Sequence, residues 1–153
     1  MRLRHVLLSF VAVGVTVTAA IAADKDAKGI VAVRQNVMDA QGSHMNAIKA
    51  ILTEDPQSIK LVAAQASSIA DTTATIPDMF PKGSDQPPTN ALPAVWDKQD
   101  EFKAAAQKVH DLAQKLADTA KGGDPKATLA AFGALGKEGC GGCHETFRKK
   151  PQS

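Results

Sequence analysis

Apolar side chains recur at steps of three and four residues along most of this chain, and they never alternate with polar ones at steps of two, so the pattern predicts helices and no strands. A first helix is expected from about Lys25 to Thr53, with Ile30, Val33, Val37, Met38, Met45, Ile48, Ile51 and Leu52 on one face. Gly42 lies inside it, where a lone glycine costs about 1 kcal/mol and often marks a close backbone approach. Asp55-Pro56 predicts an N-cap followed by proline at the first helical position, opening a second helix that carries Ile59, Val62, Ala66, Ile69 and Thr73 and ends before Pro77. Between Ile76 and Pro93 the periodicity stops and Pro77, Pro81, Gly83, Pro87, Pro88 and Pro93 gather, which predicts a surface crossover. A third helix follows from about Ala94 to Ala120, with Val95, Trp96, Phe102, Ala106, Val109, Leu112, Ala113 and Leu116 at helical spacing, and Gly122-Gly123 stops it. Asp124-Pro125 repeats the cap-and-proline start of a last helix that holds Leu129, Phe132, Leu135, Gly136, Cys140, Cys143, His144 and Phe147 and runs to about Lys149. The expected fold is all-α, an antiparallel four-helix bundle with a long Pro-rich crossover between helices two and three.

The first residues follow a different rule. Arg2 and Arg4 form a basic start, Val6 to Val17 is almost wholly apolar, and Ala20-Ile21-Ala22 has the small-x-small form of a cleavage site. Residues 1–22 are therefore expected to be a cleaved secretory signal peptide, leaving one domain over residues 23–153. The alternative is a transmembrane anchor, but the apolar run is short of the roughly 20 residues a spanning helix needs. Export implies a periplasmic, oxidising compartment and no membrane attachment after cleavage. Removing Arg2 and Arg4 from 18 basic residues leaves 16 against 16 acidic ones, so the mature chain is close to neutral. That balance, with one Trp and no Tyr, gives no footprint for nucleic acid.

The candidate chemistry sits near the end of the chain in Cys140-Gly141-Gly142-Cys143-His144, which contains both cysteines of the sequence. In C-x-x-C-H each thiol can add to one vinyl group of a haem and the adjacent imidazole can bind its iron. A redox dithiol would follow a strand in a βαβ setting, and nothing strand-like precedes Cys140. Zinc would need about four protein ligands, and His5, His44 and His110 are scattered without ligand spacing. On a helix, positions i, i+3 and i+4 place Cys140, Cys143 and His144 on one face, together with Phe132, Gly136 and Phe147. Gly139, Gly141 and Gly142 are poor helix formers, and two readings remain: a side chain there would collide with a flat ligand, or the helix terminus is loosened.

Taken together, Arg34-Gln35 followed by Met38, Phe80-Pro81-x-Gly83-Ser84, Ala91-Leu92-Pro93-Ala94-Val95-Trp96 and Cys140-Gly-Gly-Cys143-His144-Glu-Thr-Phe147-Arg148 resemble the class II cytochromes c, the cytochrome c-prime superfamily. The resemblance covers essentially the whole mature chain. It implies one covalently attached haem c with Cys140 and Cys143 as thioether sites and His144 as proximal iron ligand. It also places Met38 at the distal position, so the implied metal ligands are His144 and Met38. Arg34 and Arg148 are further haem-site candidates by the same resemblance, Arg148 near the proximal imidazole or a propionate.

The resemblance leaves two functions to separate. In the low-spin branch, which the C-terminal motif resembles most, a methionine like Met38 completes a His/Met iron suited to one-electron transfer. The high-spin branch leaves the sixth position empty and binds gases such as NO or CO; an arginine like Arg34 is familiar there. A thioether is a soft neutral donor that favours ferrous iron, while methionine on an apolar helix face otherwise fills space. Met45 is the fallback ligand or core, Met79 a weaker candidate in the crossover, and His44 and His110 are read as solvated or partly packed. Trp96 reads as a core anchor with haem-edge contact as the alternative. Lys137, Arg148, Lys149 and Lys150 either steer an acidic redox partner or form a solvated helix end. The expected function is a periplasmic one-electron carrier and not an enzyme, since no acid, base or nucleophile set accompanies the motif. Partners would be redox proteins or, in the alternative, small gases, and a homodimer is among the expected assemblies.

Overall fold

The structure, a computed structural model, describes residues 29–150. The expected signal peptide and the expected helical turn at 25–28 lie outside the described residues, as does His5. Helix α1 spans Ile30–Glu54, α2 Leu61–Ala74, α3 Ala94–Asp97, α4 Gln99–Lys121, α5 Pro125–Ala134 and α6 Gly142–Phe147. Between α5 and α6 the chain stays helical but π-wound over Leu135–Gly141. The six segments form four rods: α1, α2, α3 with α4, and α5 through α6. Among the described residues there is no strand, only an isolated antiparallel bridge between Ala91 and Arg148.

Local chemistry explains most boundaries. The Asp124 carboxylate accepts from the Lys126 and Ala127 backbone N–H groups at 2.9 and 3.1 Å, and Pro125 stands at the first helical position, as the sequence predicts. Asp55 behaves differently. Its side chain caps nothing, because Pro56–Ser58 forms a 3-10 turn in which the Ser58 N–H donates to the Asp55 carbonyl at 3.0 Å, and α2 starts only at Leu61. The single third helix expected from 94 to 120 is broken at Lys98, whose φ of −126° and ψ of 51° are not helical. Gly123, with φ of 75°, turns the chain after α4 in a conformation that favours glycine.

The bundle interior has two parts. An aliphatic cluster joins Ile48, Ile59, Val62, Ala66, Ile69 and Ala70 to Val109, Ala113, Leu116, Ala117, Ala120 and Leu135. Alanines at 66, 70, 113 and 117, all fully buried, set α2 closely against α4. Burial of Ile48, Ile69, Leu116 and Leu135 contributes about 1.5–3 kcal/mol each. The second cluster is aromatic, with Phe102 and Phe147 buried beside Ile76 and Val95, and with Met38, Phe80 and Trp96 packed against them.

Candidate functional site: a cavity between the first helix and the motif helix

A cavity of about 900 Å³ opens between α1 and the last rod, near the upper end of the roughly 300–1,000 Å³ typical of small-molecule sites. Cys140, Cys143 and His144 line it from one side and Met38 from α1. Phe80, Phe102 and Phe147 supply apolar wall. Arg34 and Arg148 also reach it, so all six residues singled out in the sequence border one space. Phe132 and Gly136, expected on the same face as the cysteines, do not. Phe132 packs on the aliphatic cluster instead.

The glycines of the motif have separate causes. A Cβ at Gly139 would meet the Leu112 Cδ1 of α4 at 3.3 Å and the Val109 Cα at 3.6 Å. A side chain there would be crowded by α4 and would not border the cavity, so the collision with a flat ligand does not apply at this position. At Gly141 a Cβ would meet the Gly136 carbonyl at 3.3 Å, and at Gly142 it would meet nothing within 4 Å.

Cys140 and Cys143 are free thiols, both half-buried. Burial pushes the Cys140 thiol up, and burial together with the neighbouring Cys140 pushes Cys143 up to about 11. Burial also pushes the His144 imidazole below its ordinary value, and the Arg148 charge adds to this, so the ring is neutral near pH 7 and free to donate a lone pair. Arg148 itself has left the helix: α6 ends at Phe147, two residues short of the expected Lys149, and Arg148 is extended (φ −123°, ψ 139°) where it bridges Ala91.

Arg34 is the least foreseeable part of the site. It is only 5% exposed, and burial lowers its pKa. Its Nε donates to the Met79 carbonyl at 2.6 Å, Nη1 to the Ser84 carbonyl at 2.9 Å, and Nη2 to the Ser84 Oγ. The guanidinium stacks over Phe80 at 4.2 Å, with the Trp96 ring at 5.6 Å. Arg34 thus fastens the start of the crossover to α1, one turn before Met38. The far end of the crossover is fastened to the motif rod: the Leu92 N–H donates to the Phe147 carbonyl at 2.9 Å and the Lys149 N–H to the Asn90 carbonyl at 2.8 Å. The Lys149 Nζ donates to the Thr89 carbonyl at 2.9 Å, so one of the lysines read as steering charge also ties down this loop. Lys137 and Lys150 are exposed.

The remaining candidates lie elsewhere or have other partners. Met45 lines the cavity but also packs on the aliphatic cluster. Met79 contributes its carbonyl to Arg34, not its sulfur to the cavity. His44 Nδ1 sits 2.7 Å from the Gln65 Oε1, between α1 and α2. His110 Nδ1 is 3.0 Å from the Asp111 carboxylate. Trp96 is half-buried, its indole N–H donating to the Pro81 carbonyl at 3.1 Å, so it anchors the crossover. A chain of edge-to-face rings, Trp96 to Phe80 to Phe102 to Phe147 with centroids 5.8, 5.0 and 5.1 Å apart, joins that anchor to the motif rod.

The donor set suits a haem: two unbridged thiols, a neutral imidazole and a thioether border one apolar space, with two arginines at hand for acidic groups. Comparison with known proteins bears on the same space. Residues 29–148 match the protein family described as Cytochrome C'. Cytochrome c' of Pararhodospirillum photometricum is 40% identical over 117 residues, covering 76% of this chain and 93% of that one. Cytochrome c-556 of Agrobacterium tumefaciens (strain II Chrys) is 34% identical over 123 residues, covering 80% and 98%. Among solved structures, a cytochrome c' with a ligand-controlled dimer dissociation superposes with a TM-score of 0.72 at 27% identity, over 79% of this chain and 95% of that one. A carbon monoxide-bound variant of cytochrome c prime from Alcaligenes xylosoxidans does so with a TM-score of 0.70 at 27% identity, over 79% and 94%.

Proposed function

The chain belongs to the cytochrome c' family, and on that premise we propose that it is a periplasmic monohaem c-type cytochrome, not an enzyme, that carries single electrons on a haem whose iron His144 and Met38 would hold. The observation that carries this reading is the shared cavity: the thioether of Met38 borders the same space as Cys140, Cys143 and His144. A covalently bound haem would supply a one-electron iron couple there. Cys140 and Cys143 would hold it on a rod packed against α4, and the Phe80, Phe102 and Phe147 rings would limit water around it. His144 and Met38 each stand on a helix that is itself packed, so the donors keep their positions when the charge changes. A soft, neutral thioether favours the reduced state. Arg34 and Arg148 are placed to neutralise propionates.

A second reading is a gas-binding protein with an open sixth position. It is favoured by the carbon monoxide and nitric oxide complexes among structures related to this chain, and by the ability of methionine to act as wall. Ferric and ferrous optical spectra of the purified mature protein, with carbon monoxide added last, separate the two. We expect a low-spin ferrous spectrum, a ferric thioether-to-iron band and little response to the gas, with the band lost in Met38→Ala. A high-spin spectrum that converts readily with carbon monoxide would overturn Met38 ligation and leave gas binding as the function. Exposed Ile30 and Val33 on α1 and Leu61 on α2 support a homodimer through these helices, and a single monomer boundary in sedimentation of the holoprotein would exclude it.

A further inference from the structure

Gly42 stands in the middle of a 25-residue helix, where glycine is unfavourable, yet no neighbouring element requires it: a Cβ there would meet nothing within 4 Å. It is exposed to solvent and at the same time borders the cavity. It is also the cavity-lining residue without a side chain. Position 42 lies one turn after Met38 on the same face. Side chains on a helix lean toward its N-terminus and cover the turn before their own Cα. A side chain at 42 would therefore lie over the turn that carries Met38, between solvent and that part of the cavity, and glycine leaves this strip of wall bare. The lining residues around it, Asp39, Gln41 and Met45, all have side chains.

We propose that the bare backbone at Gly42 is the entry lane by which small neutral ligands such as diatomic gases pass from solvent to the distal side of the cavity beside Met38. The inference rests on the cavity holding haem, and not on whether Met38 binds its iron. Occupants of the lane are limited to molecules of a few atoms, because Gln41 and Met45 flank it and charged groups would lose water on entering an apolar space.

The test uses the holoprotein with Met38→Ala, so that the sixth position is open under either reading of Met38, and compares it with Met38→Ala combined with Gly42→Ala, Gly42→Val or Gly42→Leu. Carbon monoxide association to the ferrous form is followed after flash photolysis. Slowing that grades with side-chain size, reaching about tenfold for Gly42→Leu, is expected, within the one to three decades over which association rates vary among variants of one site. The ferrous spectrum before carbon monoxide should stay unchanged. Thermal unfolding of the holoproteins is the second readout: each replacement fills open space with a residue of higher helix preference, so the midpoint should rise most for Gly42→Ala. An unchanged association rate, or a change in dissociation alone, would overturn the lane. A Met38→Ala protein with no haem spectrum would overturn the cofactor reading and the lane with it.

Discussion

The two halves of the bundle interior solve opposite problems with the same helices. In the aliphatic half, small residues on α2 and α4 let the backbones close up, and Ile48, Ile69, Leu116 and Leu135 fill what remains. In the aromatic half, α1 and the motif rod border a cavity of about 900 Å³. Protein interiors are close-packed, and a cavity of this size falls in the range of small-molecule sites. The walls of the two halves differ accordingly. Aliphatic side chains close the first by volume; rings, two arginines and backbone ties to the crossover frame the second without filling it.

Three substitutions sharpen this contrast. Leu116→Ala, in the filled half, should lower unfolding stability by about 2–5 kcal/mol in urea, since a cavity opens among neighbours that cannot collapse, while the haem spectrum stays as it was. A shifted spectrum would show that the halves are mechanically one. Arg34→Leu should do the reverse in kind. It orphans the Met79 and Ser84 carbonyls, costing about 1–3 kcal/mol, and it should alter the spectrum, because Met38 is one turn from the lost clamp. An unchanged spectrum would confine Arg34 to holding the crossover. Asp124→Ala removes a cap at the remote end of α5 and should cost about 1 kcal/mol with no spectral change.

The contrast also explains what was legible in the chain. Periodicity placed the rods of the filled half and the Asp124-Pro125 start placed the beginning of α5, because amphipathic spacing records which face is buried; it did not record the late start of α2 at Leu61 or the break at Lys98. The motif named Cys140, Cys143 and His144, and resemblance pointed to Met38, Arg34 and Arg148. The π winding at Leu135–Gly141 was not legible, since over two turns apolar spacing does not tell i to i+5 bonding from i to i+4 bonding. Nor was the Arg34 clamp, whose acceptors are two carbonyls and a hydroxyl in the crossover, groups that leave no mark in an apolar pattern. Asp55 shows the opposite failure: the local signal was sound, but a 3-10 turn satisfied the backbone without it.

The ties that frame the cavity also set an order of assembly. Arg34 reaches acceptors 45 and 50 residues away, and Lys149 reaches Thr89 across 60. The entropy of closing such loops must be met before these contacts can form, and long-range contacts form slowly. Helix hairpins such as α1 with α2 and α4 with α5 close much shorter loops. Loop-closure entropy therefore predicts that the crossover docks after the hairpins, with Thr89, Asn90 and Ala91 closing their side of the cavity last. On that order, the loop that frames the finished site is also the last part of its wall to form.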